Sequence, residues 1–295
     1  MIHIHFIVNP IAGRGKATLT KELLVPYFIA GVHKLTVKHS AYKKHAIELT
    51  LNSIAEKADV IVACGGDGTI NEVASCLVGT LIPLGIIPLG SGNGLASNLH
   101  IPKNIRKALA IIKNRQTIKI DVGQINDRHF FSNMGIGFDA SVIKHYESSQ
   151  KRTLYGYVTA CMTSFWDIEK NKKLSVRINE MNSLVDPFII LISNSNEMGY
   201  NLSLTPKASL QDGLLDVLII PKINRLKMIW LGLLILFKRV YWLKEATSFQ
   251  TKELRLSRND SLNFESQIDG ELHELKNGKL QISIMEKALR ILVAE

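Results

Sequence analysis

The segment from Val60 to Leu77 constrains the fold of this chain more than any other. An apolar run, Val60–Ala63, leads into the glycine-rich turn Cys64–Thr69, and residues 70–77 are compatible with a helix. This order predicts a buried strand, a turn and a helix. The three glycines of the turn leave backbone N–H groups unshielded and permit positive φ angles, so the turn can wrap an anion at the positive end of the helix.

Asp67 in the middle of this turn allows two interpretations. A carboxylate next to a phosphate is unfavourable unless a cation lies between them, so Asp67 points to Mg²⁺ held beside a nucleotide phosphate. In the alternative, the segment is a tight strand–helix turn and Asp67 is the N-cap of the helix. The flanking residues favour phosphate binding.

Strands and helices alternate over residues 1–123, which is typical of an α/β domain with a parallel sheet. In such sheets ligands bind beyond the carboxyl ends of the strands, so the glycine-rich loops that follow strands are expected to converge. The predicted strands are Ile2–Val8, Lys34–His39, Val60–Cys64 and Pro83–Ile87, and the predicted helices run from about Ala17 to Ala30, Lys43 to Ala55 and residue 70 to Leu77, with another after Gly94.

Three such loops are present: Asn9–Lys16, the turn Cys64–Thr69, and Gly90–Gly94. The first is not a P-loop, because Pro10 stands where that motif requires glycine and Ala17 replaces its Ser/Thr. The other two offer exposed N–H groups ahead of a helix. Their common position at one sheet edge predicts a shared anion site.

Beyond residue 123 the pattern becomes one of strands separated by turns, which predicts a mainly antiparallel β-sandwich. The fold class predicted for the whole chain is therefore α/β plus all-β, a Rossmann-like domain followed by the sandwich. The predicted strands of the second part are Phe130–Met134, Leu174–Ile178, Phe188–Ser193, Leu215–Ile220, Lys252–Leu256, Leu262–Ile268 and Leu280–Ile284.

Charge and cysteine content narrow the function classes. Lys and Arg number 36 against 26 Asp and Glu, which gives a net charge of +10 and favours anionic partners. No nucleic-acid-reading motif is present, so nucleic acid is not an expected partner. Three irregularly spaced cysteines form neither a disulfide framework nor a zinc cluster. Because the N-terminus enters a strand without signal-peptide features, a cytoplasmic protein is expected.

The apolar segment Met228–Phe237 has basic residues on both sides. Ten helical residues rise only ~15 Å, half of a bilayer core, so the segment does not span a membrane. It is either a buried core helix or a helix that contacts membrane or lipid, with Trp230, Tyr241 and Trp242 supporting the second alternative. Peripheral membrane contact is therefore one expectation.

Four segments in order resemble one known family. Asn9–Lys16, Gly65–Glu72, Gly90–Asn93 and Asp269–Glu271 are similar to the motifs of the diacylglycerol kinase catalytic-domain family, which includes bacterial lipid kinases and the sphingosine and ceramide kinases. The resemblance implies a nucleotide domain over residues 1–123, to which 287–295 return, and a lipid-binding β-sandwich over 124–286. It further implies that ATP and a lipid substrate meet in the cleft between them.

The resemblance also implies roles for single residues. Asp67 would help to orient a catalytic Mg²⁺, and Glu271 matches the family's general base, which would take the proton of a lipid hydroxyl. From the sequence alone, Asp269-Gly270 is most simply a hairpin turn and Glu271 a solvated strand residue. The implied ATP contacts are Asn9, Ser40, Gly65, Gly66, Asp67, Gly68, Thr69, Ile70, Asn71, Ser91 and Gly92.

A structural Mg²⁺ site is implied in the second part of the chain. Its ligands would be the Asp212 side chain and the carbonyls of Ser209 and Leu214, with Asp216 as an alternative carboxylate. Oxygen ligands with retained water suit this cation. From the residues alone, Asp212-Gly213 is a turn before a strand.

Gly94 departs from many bacterial relatives, which carry aspartate there, and resembles the sphingosine-kinase version of the loop. The resemblance therefore implies a kinase for a diacylglycerol-like or a sphingoid lipid. Two alternatives stay open: a soluble nucleotide kinase of the NAD kinase kind, and a weakly catalytic regulator that binds nucleotide or lipid. Oligomeric state is open as well, with a homodimer as one arrangement.

Overall fold

A computed structural model describes residues 1–15, 19–149, 154–167, 175–179, 184–197, 203–258 and 262–294. Lys16 and Ala17 of the first loop, and Leu174 at the start of a predicted strand, lie outside the described residues. The chain divides into two compact units. One comprises Met1–Val122 with the segment from Glu286 onward, and the other comprises Gly123–Met285.

The first unit is built on a parallel sheet in the order β2-β1-β3-β4-β16. β3 is buried along its whole length, as the apolar run predicts for a strand covered on both faces. The strands, numbered in chain order, are β1 Ile2–Val8, β2 His33–His39, β3 Val60–Gly65, β4 Leu84–Pro88 and the last part of β16 Lys279–Leu292.

Helices connect these strands, and one of them differs from its prediction. The single helix expected from about Ala17 to Ala30 is wrong, because α1 ends at Leu24 and a 3₁₀ turn over Val25–Tyr27 follows. Pro26 has no N–H to donate and disfavours a continuing α-helix. The helices are α1 Lys21–Leu24, α2 His45–Ala55, α3 Asp67–Leu77, α4 Gly94–Asn98 and α5 Ile105–Asn114.

The remaining strands are β5 Thr117–Ile125, which begins in the first unit, β6 Arg128–Phe130, β7 Asn133–Gly137, β8 Val176–Ile178, β9 Leu184–Val185, β10 Pro187–Ser193, β11 Leu215–Pro221, β12 Thr247–Thr251, β13 Glu253–Arg258, β14 Phe264–Ile268 and β15 Glu271–Leu275. In the second unit these strands form two antiparallel groups. One is a six-stranded sheet in the order β12-β11-β10-β7-β14-β15, and in the other the start of β16 pairs with β13, which pairs with β8.

The core of this unit shows why β10 has no polar face. Ile190 and Ile192 point into a cluster shared with β13 and β16, whereas Ile189 and Leu191 lie in a second cluster under a helix. Alternate residues of a strand face opposite sides, so both faces of β10 are covered. The predicted sandwich is therefore present, with a helical layer on one side.

Three helices belong to the second unit: α6 Phe138–Ser148, α7 Leu154–Asp167 and α8 Arg225–Leu236. α6 and α7 lie between the predicted strands Phe130–Met134 and Leu174–Ile178, where the sequence analysis predicts no helix. α8 covers the apolar segment that begins at Met228, and only one of its sides is buried, through Leu231 and Leu234. Over the described parts of the chain, no helix is long and apolar enough to cross a membrane.

Two long strands, β5 and β16, supply residues to both units. Near the change of unit, Lys287 has a φ of +51° and its N–H donates to Asp121 Oδ1 at 2.7 Å. Beyond it, Ile291 lies parallel to Leu84 of β4 and is completely buried. The C-terminal segment is thus an integral strand of the first sheet.

Candidate active site

The carboxyl ends of the parallel strands carry the predicted nucleotide residues. Val8 pairs with both His39 and Cys64, so β1, β2 and β3 end together. The N–H of Asn9 donates to Cys64 O at 2.9 Å, and the N–H of Ser40 donates to Val8 O at 2.8 Å. Asn9, Ser40 and the glycine turn are therefore brought to one edge of the sheet.

The glycine turn is held by close packing rather than by unusual backbone angles. Glycine permits positive φ, but Gly65, Gly66 and Gly68 do not adopt it. A side chain at Gly65 would place its Cβ 2.5 Å from the Thr69 side chain. A Cβ at Gly90 would lie 2.6 Å from Gly66 Cα, so the second and third loops meet backbone to backbone.

Asp67 clamps the third loop onto the start of α3. Its two carboxylate oxygens accept the N–H groups of Asn93 at 2.8 Å and Gly94 at 2.7 Å. Burial raises the pKa of Asp67, and these N–H donors oppose that shift without cancelling it. The N-cap interpretation is wrong, since Gly66 is the cap and Asp67 is the first residue of the helix.

The free backbone N–H groups at the N-terminus of α3 define where an anion can bind. The helical hydrogen bonds begin with Ile70 N donating to Gly66 O at 3.0 Å, so Asp67, Gly68 and Thr69 have N–H groups without a partner inside the helix. The Ile70 side chain is buried in the core. On the far side of the turn, Asn9 Nδ2 donates to Thr69 Oγ1 at 3.1 Å and joins the first loop to the second.

The third loop is shaped by Asn93, which the site prediction did not include. Asn93 is buried with φ +58°, accepts the Gly90 N–H through Oδ1 and donates to Gly90 O through Nδ2. Asparagine tolerates this left-handed conformation better than most residues, and this preference is the feature of the sequence from which the role of Asn93 in the loop could have been predicted. Ser91 is exposed, and its carbonyl accepts Lys103 Nζ at 3.1 Å. A Cβ at Gly92 would lie 3.0 Å from Asp67 Oδ2.

Glu271 follows a tight hairpin, as the sequence predicts for Asp269-Gly270. Both turn residues have positive φ, and Glu271, the half-buried first residue of β15, pairs with Ile268. The Asp269 carboxylate accepts the N–H groups of Phe131, Ser132 and Asn133 at 2.8, 2.7 and 3.1 Å. These bonds fix the turn that presents Glu271.

A buried polar group supports the same hairpin and was missed by sequence reasoning. Gln267 Oε1 accepts the Gly270 N–H at 2.9 Å, while its Nε2 donates to Asn133 Oδ1 at 2.7 Å. Asp139 lies beside it, and burial raises the pKa of Asp139 to about 6. Because Gly135 has no side chain, there is space for the Asp139 carboxylate: a Cβ at position 135 would lie 2.0 Å from Asp139 Oδ2. Only the spatial pairing of β7 with β14 reveals this group.

The predicted structural cation site forms a compact loop in the second unit. Asp212 Oδ1 accepts the Leu214 N–H at 3.1 Å, and the Ser209 hydroxyl accepts the Gln211 N–H at 3.3 Å. Gln250 Nε2 lies 3.4 Å from Asp212 Oδ2 and 3.2 Å from Asp216 Oδ2.

Both carboxylates of this loop thus share one amide group. Burial raises the pKa of Asp216, and the charge of Asp212 raises it further. A hard cation would relieve this repulsion, so the oxygen donors fit Mg²⁺. Within the described ranges, no cluster of three or more His, Cys, Asp or Glu side chains could hold a metal, so carbonyl oxygens would have to complete the set.

Two family profiles match successive parts of the chain. The diacylglycerol kinase catalytic domain matches residues 3–125. The YegS C-terminal NAD kinase beta sandwich-like domain matches residues 132–293. The boundary between the two matches lies near the change of unit at Gly123, while the second match also includes the C-terminal strand that returns to the first unit.

Individual proteins agree with the profiles. Proteins named diacylglycerol kinase from Staphylococcus epidermidis and Staphylococcus aureus are 28% and 29% identical to this chain over 226 residues, which is 74% of the chain and 70% of each relative. A solved diacylglycerol kinase structure from Bacillus anthracis str. Sterne has a TM-score of 0.70 at 19% identity and covers 99% of this chain and 97% of its own.

A second solved chain from that organism has a TM-score of 0.78 at 21% identity, with 99% of this chain and 95% of its own covered. At these identities the structural likeness shows the fold alone. The two profiles, which span the sheet and the sandwich, lead to one conclusion: the chain belongs to the diacylglycerol kinase catalytic-domain family, a family of lipid kinases.

Proposed function

We propose that this protein transfers the γ-phosphate of ATP to a hydroxyl group of a diacylglycerol-like or sphingoid lipid. The observation that carries the proposal is the clamp formed by Asp67, which draws the third loop onto the start of α3 through two N–H bonds. The clamp joins the second and third loops, and the bond from Asn9 Nδ2 to Thr69 Oγ1 adds the first loop at the same carboxyl edge of the parallel sheet. In α/β folds this edge is the usual ligand site.

In the proposed complex the triphosphate lies against the open N-terminus of α3. The N–H groups of Gly68 and Thr69 and the dipole of an eleven-residue helix attract phosphate oxygens there. The loops approach closely at both Gly66 and Gly92: a Cβ would lie 3.4 Å from Gly90 Cα at the first and 3.0 Å from Asp67 Oδ2 at the second. Ser91 is exposed at the same edge and supplies a hydroxyl. The first unit is thus proposed as the nucleotide domain.

Asp67 is also the residue proposed to orient Mg²⁺. Each of its carboxylate oxygens accepts one N–H group and keeps a lone pair for a metal-bound water. Its raised pKa indicates that the ionised carboxylate is poorly solvated, and a nearby cation would stabilise the ionised form. When bound, Mg²⁺ neutralises charge on the transferring phosphate.

Glu271 is proposed as the general base. The lipid hydroxyl oxygen attacks the γ-phosphorus, its proton passes to the Glu271 carboxylate, and ADP leaves as the bond to the γ-phosphate breaks. The hairpin that carries Glu271 is fixed by Asp269 and Gln267, so the carboxylate has a defined position in the second unit. That unit is proposed to bind the lipid, and the loop of Asp212, Ser209 and Leu214 to hold a structural Mg²⁺.

The acceptor class rests on the relatives' name and on Gly94. The N–H of Gly94 donates to Asp67 Oδ1 at 2.7 Å, whereas no carboxylate stands at this position. An additional acid that could contact a head group is therefore missing, and a sphingoid base remains an acceptor beside diacylglycerol. Apolar pockets distinguish related chains by only ~1–3 kcal/mol per methylene, so the acceptor must be found by experiment.

A phase-partition assay tests this proposal. The purified protein is incubated with ATP radiolabelled at the γ-position, Mg²⁺ and mixed lipids that include diacylglycerol and sphingosine. We expect label in the organic phase and, by mass spectrometry, a lipid heavier by one phosphate. Label that appears only in the aqueous phase when NAD is added would contradict the proposal and indicate a soluble nucleotide kinase.

A further inference from the structure

The outward side of α8 is apolar, although its inward side already packs on the sheet. Leu231 and Leu234 are buried against β10 and β11. Leu226 and Phe237, at the two ends of the opposite side, are 78% and 72% exposed. A surface helix that packs one side on the core normally exposes polar residues on its other side. The exposed apolar residues of this side are Leu226, Ile229, Trp230, Leu233, Leu236 and Phe237.

A second helix extends this apolar surface. α7 exposes large side chains one turn apart, while Ala160 and Ser164 face inward. The Arg225 guanidinium lies 5.6 Å from the centre of the Trp166 ring, so the start of α8 adjoins the end of α7. Large exposed apolar patches of this kind mark interaction sites. The exposed residues of α7 are Tyr155, Val158, Met162 and Trp166.

We call these exposed side chains of α7 and α8, together with Tyr241 and Trp242, the docking surface. Tyr241 and Trp242 follow α8 in a 3₁₀ turn and are 61% and 52% exposed. Arg239 lies 4.4 Å over the Trp242 ring. Tyrosine and tryptophan carry an apolar body and a polar tip, which suits a boundary between water and hydrocarbon.

The charge around the docking surface decides which partner it fits. Residues 222–245 contain Lys222, Arg225, Lys227, Lys238, Arg239 and Lys244, against one acid, Glu245. Lys222 pairs with Asp186 at 2.8 Å, Lys227 pairs with Glu245, and Lys238 lies 4.0 Å from Glu197, so three of these six basic charges face an acid. Arg239 and Lys244 are exposed. The surface as a whole stays basic.

We propose that the docking surface binds the face of an anionic lipid bilayer, with α8 lying in the plane of the interface. Apolar side chains enter the acyl boundary while the basic residues contact anionic head groups. A symmetric dimer through the same surface would set the basic residues of both copies against each other, which disfavours that occupant. The inference rests on the proposed function only in that the bilayer is then also the source of the acceptor lipid.

Vesicle flotation tests the docking surface directly. The full chain is mixed with phosphatidylglycerol vesicles, with phosphatidylcholine vesicles, or with neither. We expect binding to the first that weakens as salt is raised, and at least tenfold less binding to the second. The double variant Leu226→Ser/Phe237→Ser changes two highly exposed residues, and we expect it to lose at least tenfold in binding. Arg239→Gln/Lys244→Gln should lower binding to the anionic vesicles alone.

The matched control is Leu23→Ser/Leu81→Ser, which removes two exposed leucines from the first unit. It should bind vesicles like the unchanged protein. The inference is overturned if Leu226→Ser/Phe237→Ser binds as well as the unchanged protein. It is also overturned if that variant only converts a dimer to a monomer, because a second copy would then be the occupant.

A kinase assay separates this inference from the proposed function. With a short-chain diacylglycerol dispersed in detergent, Leu226→Ser/Phe237→Ser should phosphorylate at the unchanged rate, and with vesicles it should be slower by at least tenfold. Equal slowing in both assays would overturn the docking role. Vesicle binding by a protein that phosphorylates no lipid would leave the docking surface in place and refute the proposed function instead.

Discussion

Asp67 determines how two glycine-rich loops are joined. Its carboxylate accepts N–H groups from Asn93 and Gly94, residues that are 26 and 27 positions away in sequence. A carboxylate accepts at both oxygens, whereas an asparagine side chain has only one acceptor. The position therefore requires an acid for structural reasons, in addition to its proposed part in holding Mg²⁺.

Asp67→Asn should weaken both the loop and nucleotide binding. One buried N–H would lose its acceptor, which costs about 1–3 kcal/mol in the free energy of unfolding. ATP affinity should fall about tenfold or more, because the third loop is no longer held; urea unfolding and calorimetric titration with ATP measure the two effects. The control is Asp127→Asn in an exposed turn, and equal behaviour of both variants would contradict the role of the clamp.

Asp139 should make stability depend on pH. Its pKa of about 6 in the folded state exceeds the usual 3.8, so the folded state binds the proton more tightly than the unfolded state. The contribution of Asp139 to the free energy of unfolding is therefore fully present below pH ~4 and is lost as the pH rises through about 6. Urea unfolding should therefore show that the free energy of unfolding of Asp139→Asn, relative to that of the unchanged protein, increases between pH 5 and pH 7.5. A difference that does not vary with pH would contradict the buried ionisation.

Sequence reasoning identified the residues that lie at motif positions but not those that support them. Asp67 and the hairpin of Asp269-Gly270 were recognised because glycine patterns mark backbone turns. Asn133, Asp139 and Gln267 were missed because their importance comes from the pairing of β7 with β14. Strand pairing over more than a hundred residues leaves no local signal.

At the scale of elements, the close contact between two loops explains the glycines better than backbone freedom does. Gly66 has a φ of −90° and Gly90 does not adopt a left-handed φ, yet a Cβ on Gly90 would lie 2.6 Å from Gly66 Cα. The sequence predicted the loops and their convergence. It could not predict the reason for the glycines, because that reason is a contact between separate loops.

Gly90→Ala should separate the two loops and reduce ATP affinity at least tenfold, since backbone atoms on both sides must move. Thermal unfolding and ATP titration measure the effect. Gly232→Ala is the control, because it lies in helix α8 and a Cβ there meets nothing within 4 Å. If Gly90→Ala bound ATP like this control, the loops would not be in the contact described.

Helices were predicted correctly where neighbouring residues in the sequence indicate them. α2 and α3 were predicted as helix-compatible stretches between strands, whereas the long first helix that was predicted is interrupted at Pro26. α6 and α7 were taken for part of an all-β region, since strands dominate the sequence on both sides. α8 was correctly recognised as apolar, but the sequence could not tell that only one side would be covered by β10 and β11.

At the scale of the whole molecule, the two units are continuous through β5 and β16. The end of β16 adds a buried strand to the first sheet, where Leu289, Ile291 and Leu292 are completely buried. A sequence segment more than two hundred residues from Leu84 thus completes the sheet that carries the glycine-rich loops. The resemblance implied this return, and composition alone would not have shown it.

Ile291→Ala should destabilise the first unit by about 2–5 kcal/mol, because it leaves a cavity in a buried strand. Hydrogen exchange should become faster in β1, β3 and β4, while β10 and β11 stay protected. Lys279→Ala, at the exposed start of the same strand, serves as the control. Equal acceleration in both units would contradict their separate cores.

The most direct test of the central claim compares Glu271→Gln with the unchanged protein in lipid phosphorylation. If Glu271 takes the proton of the lipid hydroxyl, kcat should fall about 10²–10⁴-fold while the Kd for ATP is unchanged. Glu274→Gln changes an exposed acid of the same strand and should keep full activity. Turnover by Glu271→Gln at the rate of the unchanged protein would contradict the account.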